Sequence, residues 1–250
     1  MTVIYRVAHD NDDLERVIDL EIAVWGIHER DAFPVHMLRL ARLHGGAVIV
    51  AERDGDIIGL NIGFPARRGT KTVLWSYVTG VHPSIQGENI GYQLKQAQRR
   101  WARNQGYATV CWTFDPLQPK NANFNLNRLG TVVYAYHPDL YGPMQDQINQ
   151  SNLPSDRLEV RWNTAPIKRV PSPPPPATSW LLDQEGHYNP DALQANRPVG
   201  VCLSRHQNEK RRWQPLLRTA FQYALARGYL GTHFVRGADA SYYVLMLANA

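Results

Sequence analysis

Two glycines and an asparagine precede an amphipathic stretch in the middle of the chain, within the segment Gln86–Tyr92 (QGENIGY). Gly87 and Gly91 lack side chains that would block the close approach of a phosphate, and Asn89 tolerates the positive φ angles of a tight turn. If a helix begins here, its first backbone N–H groups have no partners within the helix and, together with the helix dipole, attract anions. The segment therefore predicts a pyrophosphate-binding turn. The spacing is not G-x-G-x-x-G, and a tight turn without a ligand explains the glycines equally well.

The flanking sequence predicts a strand before this turn and a helix after it. Residues 72–81 (TVLWSYVTGV) are rich in β-branched and aromatic side chains, which is typical of a strand. After the turn, one apolar stripe recurs at helical spacing, and Gly106 provides a stop. The stripe consists of Ile90, Leu94, Ala97 and Trp101, and the other helix faces are expected to carry Lys95, Gln96, Arg99, Arg100 and Arg103.

Strands and helices alternate over about the first 165 residues. A helix is expected over Asn11–Gly26, capped by Asn11 or Asp12, and a β-hairpin is expected to turn at Asp54 and Gly55. The predicted order is β-α-α-β-β-β-α-β-α-β-β, which indicates a mixed α/β domain.

Five prolines between Pro171 and Pro176 interrupt this pattern and predict a stiff, extended spacer. We therefore expect a first domain over residues 1–165, a proline-rich linker over 166–178, and a β-α-β-β extension over 179–250. Because about 70 residues make a marginal core, the extension is expected to pack on the first domain or on a second subunit.

Composition excludes several classes of protein. The chain has 250 residues, 44% of them hydrophobic, and no apolar run approaches the length of a membrane span. The amino terminus lacks a signal-peptide pattern, so we expect a cytoplasmic protein whose Cys111 and Cys202 are buried thiols. The net charge of +5 suits an anionic ligand but is too modest and diffuse to indicate a nucleic-acid partner. The nine histidines are scattered and predict no metal site.

The element order, with V-x-P at residues 81–83 followed by QGENIG, resembles the GNAT family of acyl-CoA N-acyltransferases. The usual loop of that family reads Q/R-x-x-G-x-G/A, and Asn89 stands here where the family has glycine. The string WTFDPLQPKNANFNLNRLG, residues 112–130, is similar to a bacterial branch of predicted acetyltransferases. The resemblance covers most of the chain and implies a mostly antiparallel sheet flanked by helices.

The resemblance also implies acetyl-CoA or another short acyl-CoA as the co-substrate, without a metal. Its pyrophosphate would bind the loop amides, and its pantetheine arm would run between the fourth and fifth strands. The CoA-binding residues implied in this way are Thr79, Gly80, Val81, Gln86, Gly87, Glu88, Asn89, Ile90, Gly91 and Tyr92.

Acylation of an amine needs three events: loss of the amine proton, polarisation of the thioester carbonyl, and protonation of the leaving thiolate. The family often protonates the thiolate with a tyrosine, and alignment through NRLG places Leu126 at that position. Tyr141, on a loop, is our first candidate to replace it, with Tyr134 and Tyr136 as alternatives.

Six further positions are candidates for the reacting site and the acceptor. Only one of the neighbouring strand residues Ser76 and Tyr77 can face the cleft. Asp115, which follows the fifth strand, is either a base or a turn residue before Pro116. Asn121, Asn125 and Arg128 on the short helix are candidates for substrate contact. A helix cap explains Asn121 equally well, and a solvated cation at the helix end explains Arg128 better than substrate contact does.

We therefore expect an acyl-CoA-dependent N-acyltransferase that acts on the primary amine of a small molecule, plausibly an amino acid, as a monomer or homodimer. Acetyl is the default acyl group, and succinyl stays open. The alternative, motivated by Leu126, is a non-catalytic acyl-CoA-binding or regulatory protein.

Overall fold

The computed structural model describes residues 2–142, 153–165, 176–195, 197–204, 209–237 and 240–248. Contacts divide the chain into two compact units. The first comprises Met1–Trp112, Met144–Ser151 and Asn163–Pro166, and the second comprises Thr113–Pro143, Asn152–Trp162 and Ile167–Ala250. The division falls within the strand Thr109–Phe114, and the predicted domain limits at 165 and 179 stay a prediction.

The first unit is a sheet with helices on both faces. Its strands lie in the order β1-β2-β3-β4-β5, with β4 and β5 parallel and the other neighbours antiparallel. The strands are β1 (Ile4–Val7), β2 (Ala47–Arg53), β3 (Asp56–Arg68), β4 (Lys71–Val81) and β5 (Thr109–Phe114). The helices are α1 (Asn11–Trp25), α2 (Val35–Leu43) and α3 (Ile90–Asn104). One apolar cluster packs α1 and α2 against the sheet, and a second packs α3 against it.

The turn between β2 and β3 confirms the predicted hairpin. Asp54 and Gly55 have φ angles of 53° and 89°, the positive values that a tight hairpin of this kind requires. The predicted cap of α1 was wrong by a residue or two. Asp10 occupies the cap position, and its carboxylate accepts a hydrogen bond from the Asp13 backbone N–H at 2.9 Å.

The buried face of α3 differs from the predicted stripe. Ala97 and Trp101 are only half-buried, whereas Lys95 and Gln98 are buried. The prediction that Lys95 lies away from the apolar face was therefore wrong. The physical reason is that α3 lies across β2, β3 and β4 and buries a face wide enough to include the residues beside the stripe.

The second unit carries the rest of the described elements. The short helix α4 (Pro119–Ala122) continues as a π-helical segment over Asn123–Leu129 and ends at Gly130, whose φ is 73°. The strands β6 (Val132–His137), β7 (Arg157–Asn163), β8 (Ser179–Leu182), β9 (Val199–Leu203), β10 (Tyr229–Arg236) and β11 (Ser241–Leu247) lie in the order β7-β6-β10-β11-β9-β8. The helix α5 spans Lys210–Ala226 and contains Pro215.

The mixed α/β fold class is confirmed, and the predicted β-α-β-β extension corresponds to β9, α5, β10 and β11. The strand β8, which pairs with β9, was not predicted. Most of the proline-rich spacer, residues 166–175, lies outside the described residues. Cys111 and Cys202 are buried thiols that form no disulfide with each other. The described helices include none with the length and apolar character needed to cross a bilayer.

Candidate functional site

The segment between β4 and α3 has the geometry of an open turn at a helix start. Asn89 adopts the left-handed conformation at the N-cap of α3, with φ of 67°, and Gly87 has φ of 99°. The Asn89 side chain makes no capping hydrogen bond. Outside the helix itself, the one described atom that a Cβ atom at Gly91 would meet within 4 Å is Val81 Cγ2, at 3.7 Å. The first turn of α3 thus presents its backbone N–H groups beside space that a phosphate can enter.

Two contacts hold this loop to the sheet. The Glu88 carboxylate forms an ion pair with the guanidinium of Arg53 on β2. The Gln86 side-chain amide donates to the Val81 carbonyl at 3.5 Å. Because Arg53 offsets the charge of Glu88, the acidic residue in the loop does not cancel the attraction of the helix start for an anion.

The strands β4 and β5 part in front of this loop. Their ladder contains the pairs Leu74–Val110 and Trp75–Cys111. On its other edge, β4 stays paired with β3 as far as Val81. Among the described residues, the edge of β4 that faces β5 therefore has no ladder partner beyond Trp75. This edge runs from the last paired residue toward the turn before α3.

β4 contains a β-bulge just beyond its last residue paired with β5. Ile62 of β3 lies opposite Val78 and Gly63 lies opposite Ser76, so Tyr77 is the extra residue. Ser76 faces α3 and is 2% exposed, whereas Tyr77 faces α1 and α2 and is 45% exposed. The sequence predicted that only one of the two could face the cleft, and the structure places them on opposite faces of β4.

Tyr77 forms part of an aromatic surface. Its ring centroid lies 5.1 Å from that of Phe33 and 6.0 Å from that of Phe64. Behind this surface the buried Glu21 carboxylate accepts a hydrogen bond from the Phe33 backbone N–H at 3.0 Å. Burial raises the pKa of Glu21. Sequence reasoning missed Glu21. Its position is four residues after Val17 and four before Trp25 in α1, which places its carboxylate on the inward side of the helix.

On the opposite face of the sheet lies a group of buried polar residues that we call the lysine cluster: Asn61, Ser76, Lys95, Gln98 and Trp112. Lys95 Nζ donates to Ser76 Oγ at 2.8 Å and lies 3.7 Å from the centroid of the Trp112 ring. The Asn61 amide nitrogen lies 3.3 Å from Ser76 Oγ and donates to Thr79 Oγ1 at 2.6 Å. Burial lowers the pKa of Lys95 to about 7.

Gln98 completes the cluster with unusual chemistry. Its side chain is fully buried, and neither amide atom has a hydrogen-bond partner among the described residues. It packs against β3 at Gly63, where a Cβ atom would lie 2.9 Å from Gln98 Nε2. Buried amides without partners are rare and costly in proteins. A signal for this burial was present in the sequence, because Lys95 directly follows the buried Leu94 and Gln98 lies one helical turn after Leu94.

The candidates for substrate contact belong to the second unit. Asp115 Oδ1 accepts from the Leu117 backbone N–H at 2.8 Å, which is a turn contact, and burial raises the pKa of this carboxyl. Asn121 is exposed and Asn125 is buried, so the two do not share an exposed face. The Arg128 guanidinium lies 6.0 Å from the Phe124 ring.

The three candidate tyrosines differ in their surroundings. Tyr141 is 47% exposed, and its hydroxyl lies 2.9 Å from that of Thr113, the residue after Trp112 in β5. Tyr134 is hydrogen-bonded to Glu159. Tyr136 is buried and donates to Asp156 Oδ2 at 2.5 Å, and burial and this carboxylate raise its pKa. Of the three, Tyr141 is the most exposed, and its hydroxyl bonds another hydroxyl instead of a carboxylate.

Comparison with known proteins identifies the fold. The Salmonella typhimurium protein yncA, solved with its cofactor acetyl-CoA, gives a TM-score of 0.51 at 17% identity, covering 69% of this chain and 99% of its own. The ribosomal-protein-S18-alanine N-acetyltransferase from Escherichia coli gives 0.53 at 11% identity, covering 68% and 98%. The N-acetyltransferase from Staphylococcus aureus Mu50 gives 0.51 at 12% identity, covering 66% and 100%. At these identities the likeness shows the fold alone.

A search of curated proteins found no match to the sequence. The family model described as the acetyltransferase (GNAT) family matches residues 14–130. These residues include most of α1, the turn at Gln86–Tyr92 that we call the phosphate turn, α3, β5 and the short helix up to Gly130. Over residues 14–130, slightly less than half of the chain, the sequence is similar to the acetyltransferase (GNAT) family.

Proposed function

We propose that this protein transfers an acyl group from acyl-CoA to the primary amine of a small molecule by direct attack in a ternary complex. The observation that carries the proposal is the parting of β4 and β5 beyond Trp75 beside an open helix start at Gly91. A cleft of this kind offers backbone hydrogen bonds to a pantetheine arm and an anion site to a diphosphate.

The CoA site would use the residues that the sequence indicated. The amides of Gln86 to Tyr92 would bind the diphosphate, and the free edge of β4 at Thr79 to Val81 would bind the pantetheine amides. The acetyl-CoA in the Salmonella typhimurium structure supports the same co-substrate here. Acetyl is the default acyl group, and succinyl is the second candidate.

The acceptor would bind on the face of β4 that carries Tyr77. The bulge turns Tyr77 toward Phe33 and leaves its ring half-exposed, which provides an apolar wall for a small molecule. Asn121 and Arg128 are proposed contacts for polar groups of the acceptor. A wall made of a few aromatic rings suits a small amine, such as an amino acid, better than it suits a long peptide.

Protons must leave the amine and reach the sulfur. Asp115 and Glu21 are the candidate bases, because burial raises the pKa of each carboxyl toward the working range of a base. Tyr141 is the proposed proton donor to the thiolate, since Leu126 at the usual tyrosine position is a buried apolar residue. We also infer a cytoplasmic location, which suits two cysteines, Cys111 and Cys202, that are not joined in a disulfide.

The test is a mass-spectrometric screen of amino acids and other small amines, each incubated with acetyl-CoA and with succinyl-CoA. An acylated product that requires the protein, and that decreases with a Gly91→Val variant, is the expected result. CoA binding by calorimetry without turnover of any amine would favour the alternative, a non-catalytic acyl-CoA-binding protein.

A further inference from the structure

We propose that the Lys95 ammonium group stabilises the sulfur of the departing CoA thiolate, an inference that rests on the acyl transfer proposed above. Lys95 belongs to α3, which the phosphate turn begins, and its amine reaches the place where the two strands separate. The argument uses its position, its missing counterion and the chemistry of the leaving group.

The position follows from the pairing of β4 and β5. Ser76 and Trp112 are the first residues beyond the last paired positions on the two strands. Lys95 Nζ contacts both of them, with 2.8 Å to Ser76 Oγ and 3.7 Å to the Trp112 ring centroid. Lys95 Nζ therefore lies where the β4–β5 ladder ends, the point to which a pantetheine arm bound along β4 would bring the thioester.

The charge of Lys95 is not balanced by the described residues around it. Ser76 accepts one of its three N–H bonds, and the face of Trp112 offers only the weaker attraction of a π-system. Burial alone, with no charged neighbour contributing, lowers the pKa of Lys95 to about 7. A buried ammonium without a counterion is costly, and an anion that forms beside it removes that cost.

The neighbouring amides show the same incompleteness. Among the described residues, Asn61 Oδ1 and both amide atoms of Gln98 are buried without hydrogen-bond partners. If Lys95 served only for packing, an unbranched apolar residue would be more stable in its place. The unbonded amide atoms of Asn61 and Gln98 instead suit a site that is completed when charge develops beside Lys95.

The reaction supplies such a charge. The amine nitrogen bonds to the carbonyl carbon, and the carbon–sulfur bond breaks with its electron pair passing to sulfur. The amine loses a proton through the candidate base, and the sulfur gains one through Tyr141 and solvent. Lys95 acts in its protonated form, which a pKa of about 7 keeps substantially populated at neutral pH. In that form it lowers the energy of the negative sulfur before the sulfur is protonated.

The experiment measures the ionisation of bound CoA itself. Free CoA is added to the protein, and the ultraviolet absorbance of the thiolate is followed as the pH rises, after calorimetry has shown saturation. An ordinary alkyl thiol such as that of cysteine has a pKa of about 8.5. An ammonium close to the sulfur should lower the pKa of the bound thiol by at least about one unit.

The Lys95→Met variant keeps the length and apolar stem of the side chain. In this variant the thiol of bound CoA should regain the pKa of free CoA. The variant should also lower kcat by about 10²-fold or more, with the Kd for CoA within about threefold of the wild type. Lys71→Met, at the exposed start of β4, is the matched loss of a lysine charge and should change neither quantity. If the Met variant does not fold by circular dichroism, Lys95→Gln takes its place.

The outcomes separate the two proposals. Bound CoA whose thiol titrates like free CoA, or a lowered pKa that survives in the Lys95 variant, overturns the role of Lys95 and leaves the acyl transfer standing. A wild-type protein that binds no CoA overturns the proposed function and this inference with it.

Discussion

A side chain at position 91 would enter the space in front of the first turn of α3, where we place the CoA diphosphate. Among the described residues outside α3, a Cβ added at position 91 would touch Val81 alone, so we expect a substitution to leave the fold intact. Gly91→Val should weaken CoA binding at least about tenfold, or about 1.4 kcal/mol, as measured by calorimetry. Gly91→Ala should give a smaller loss.

Arg100→Val on the same helix is the control for a β-branched residue in α3, because Arg100 is exposed and lies far along the helix from the turn. It should leave the affinity for CoA unchanged. Full affinity in a folded Gly91→Val protein would refute the assignment of the turn.

Removing the hydroxyl of Tyr141 tests the proposed proton donor. The Tyr141→Phe variant keeps the ring over which the Arg157 guanidinium lies at 5.5 Å, so its packing survives. Its kcat should fall by about 10²-fold or more, with the Kd for acyl-CoA nearly unchanged.

Tyr134→Phe and Tyr136→Phe are the comparisons. Tyr136→Phe should mainly lower the free energy of unfolding, by about 1 kcal/mol, because it removes a buried hydrogen bond to Asp156. Wild-type kcat in Tyr141→Phe would move the role to another group, and a large loss of CoA affinity would make Tyr141 a binding residue.

Residue types predicted the phosphate turn but not the lysine cluster. The positive φ of Asn89 follows from the local sequence, since glycine and asparagine are the residues that adopt it cheaply. The burial of Lys95 depends on how far α3 leans over β4, a tertiary property that helical periodicity does not encode. The contact of Lys95 with Trp112 joins residues that the sequence places in separate elements.

At the scale of elements, an ion-pair network ties the start of α1 to the sheet. The Arg6 guanidinium on β1 bonds the Asp13 carboxylate at 2.8 Å and the Glu52 carboxylate on β2 at 2.8 Å. The hydrogen bond from Arg6 lowers the pKa of Asp13 to about 2. An unfolded aspartate has a pKa of about 3.9, so the unfolded chain binds the proton more readily.

This difference predicts a loss of stability in acid. The contribution of Asp13 is complete above about pH 4 and should disappear as the pH falls toward about 2. Urea unfolding at a series of pH values should show this slope in the wild type and a weaker slope in Asp13→Asn. Asp12→Asn, an exposed neighbour in the same turn, should retain the wild-type slope, and equal slopes in all three proteins would contradict the assignment.

Sequence patterns found most elements and missed those whose stability comes from neighbours. The hairpin at Asp54 and Gly55 is local, because the turn residues themselves demand the φ angles observed. The four-residue strand β8 has little strand pattern of its own and exists through its pairing with β9. The bulge at Tyr77 likewise depends on the register between two strands.

At the scale of the whole molecule, the proline-rich spacer should be the first site of proteolysis. Its sequence has basic residues at Lys168 and Arg169, which lie outside the described residues, and its composition favours an extended chain. Brief trypsin treatment should give one cut there, with fragments identified by mass spectrometry. Earlier cleavage within α3 or α5 would mean that the predicted linker is in the wrong place.

The two fragments should stay together under native conditions. The second unit includes residues on both sides of the cut, and Val133 of β6 pairs with Gly231 of β10. Asn127 also exchanges two hydrogen bonds with the Phe234 backbone, at 2.6 and 3.1 Å. Gel filtration in buffer should therefore show one species, and in denaturant two.

Because both cysteines are buried, CoA released by the native protein can be measured with a thiol reagent in the presence of the protein. CoA released during turnover carries a free thiol that a chromogenic disulfide reagent detects continuously. Burial raises the pKa of Cys202 to about 12, and Cys111 is enclosed in β5, so neither supplies an accessible thiolate to the dye. The same reagent added after unfolding should titrate the two cysteines of the chain and so report how much folded protein remained in the assay.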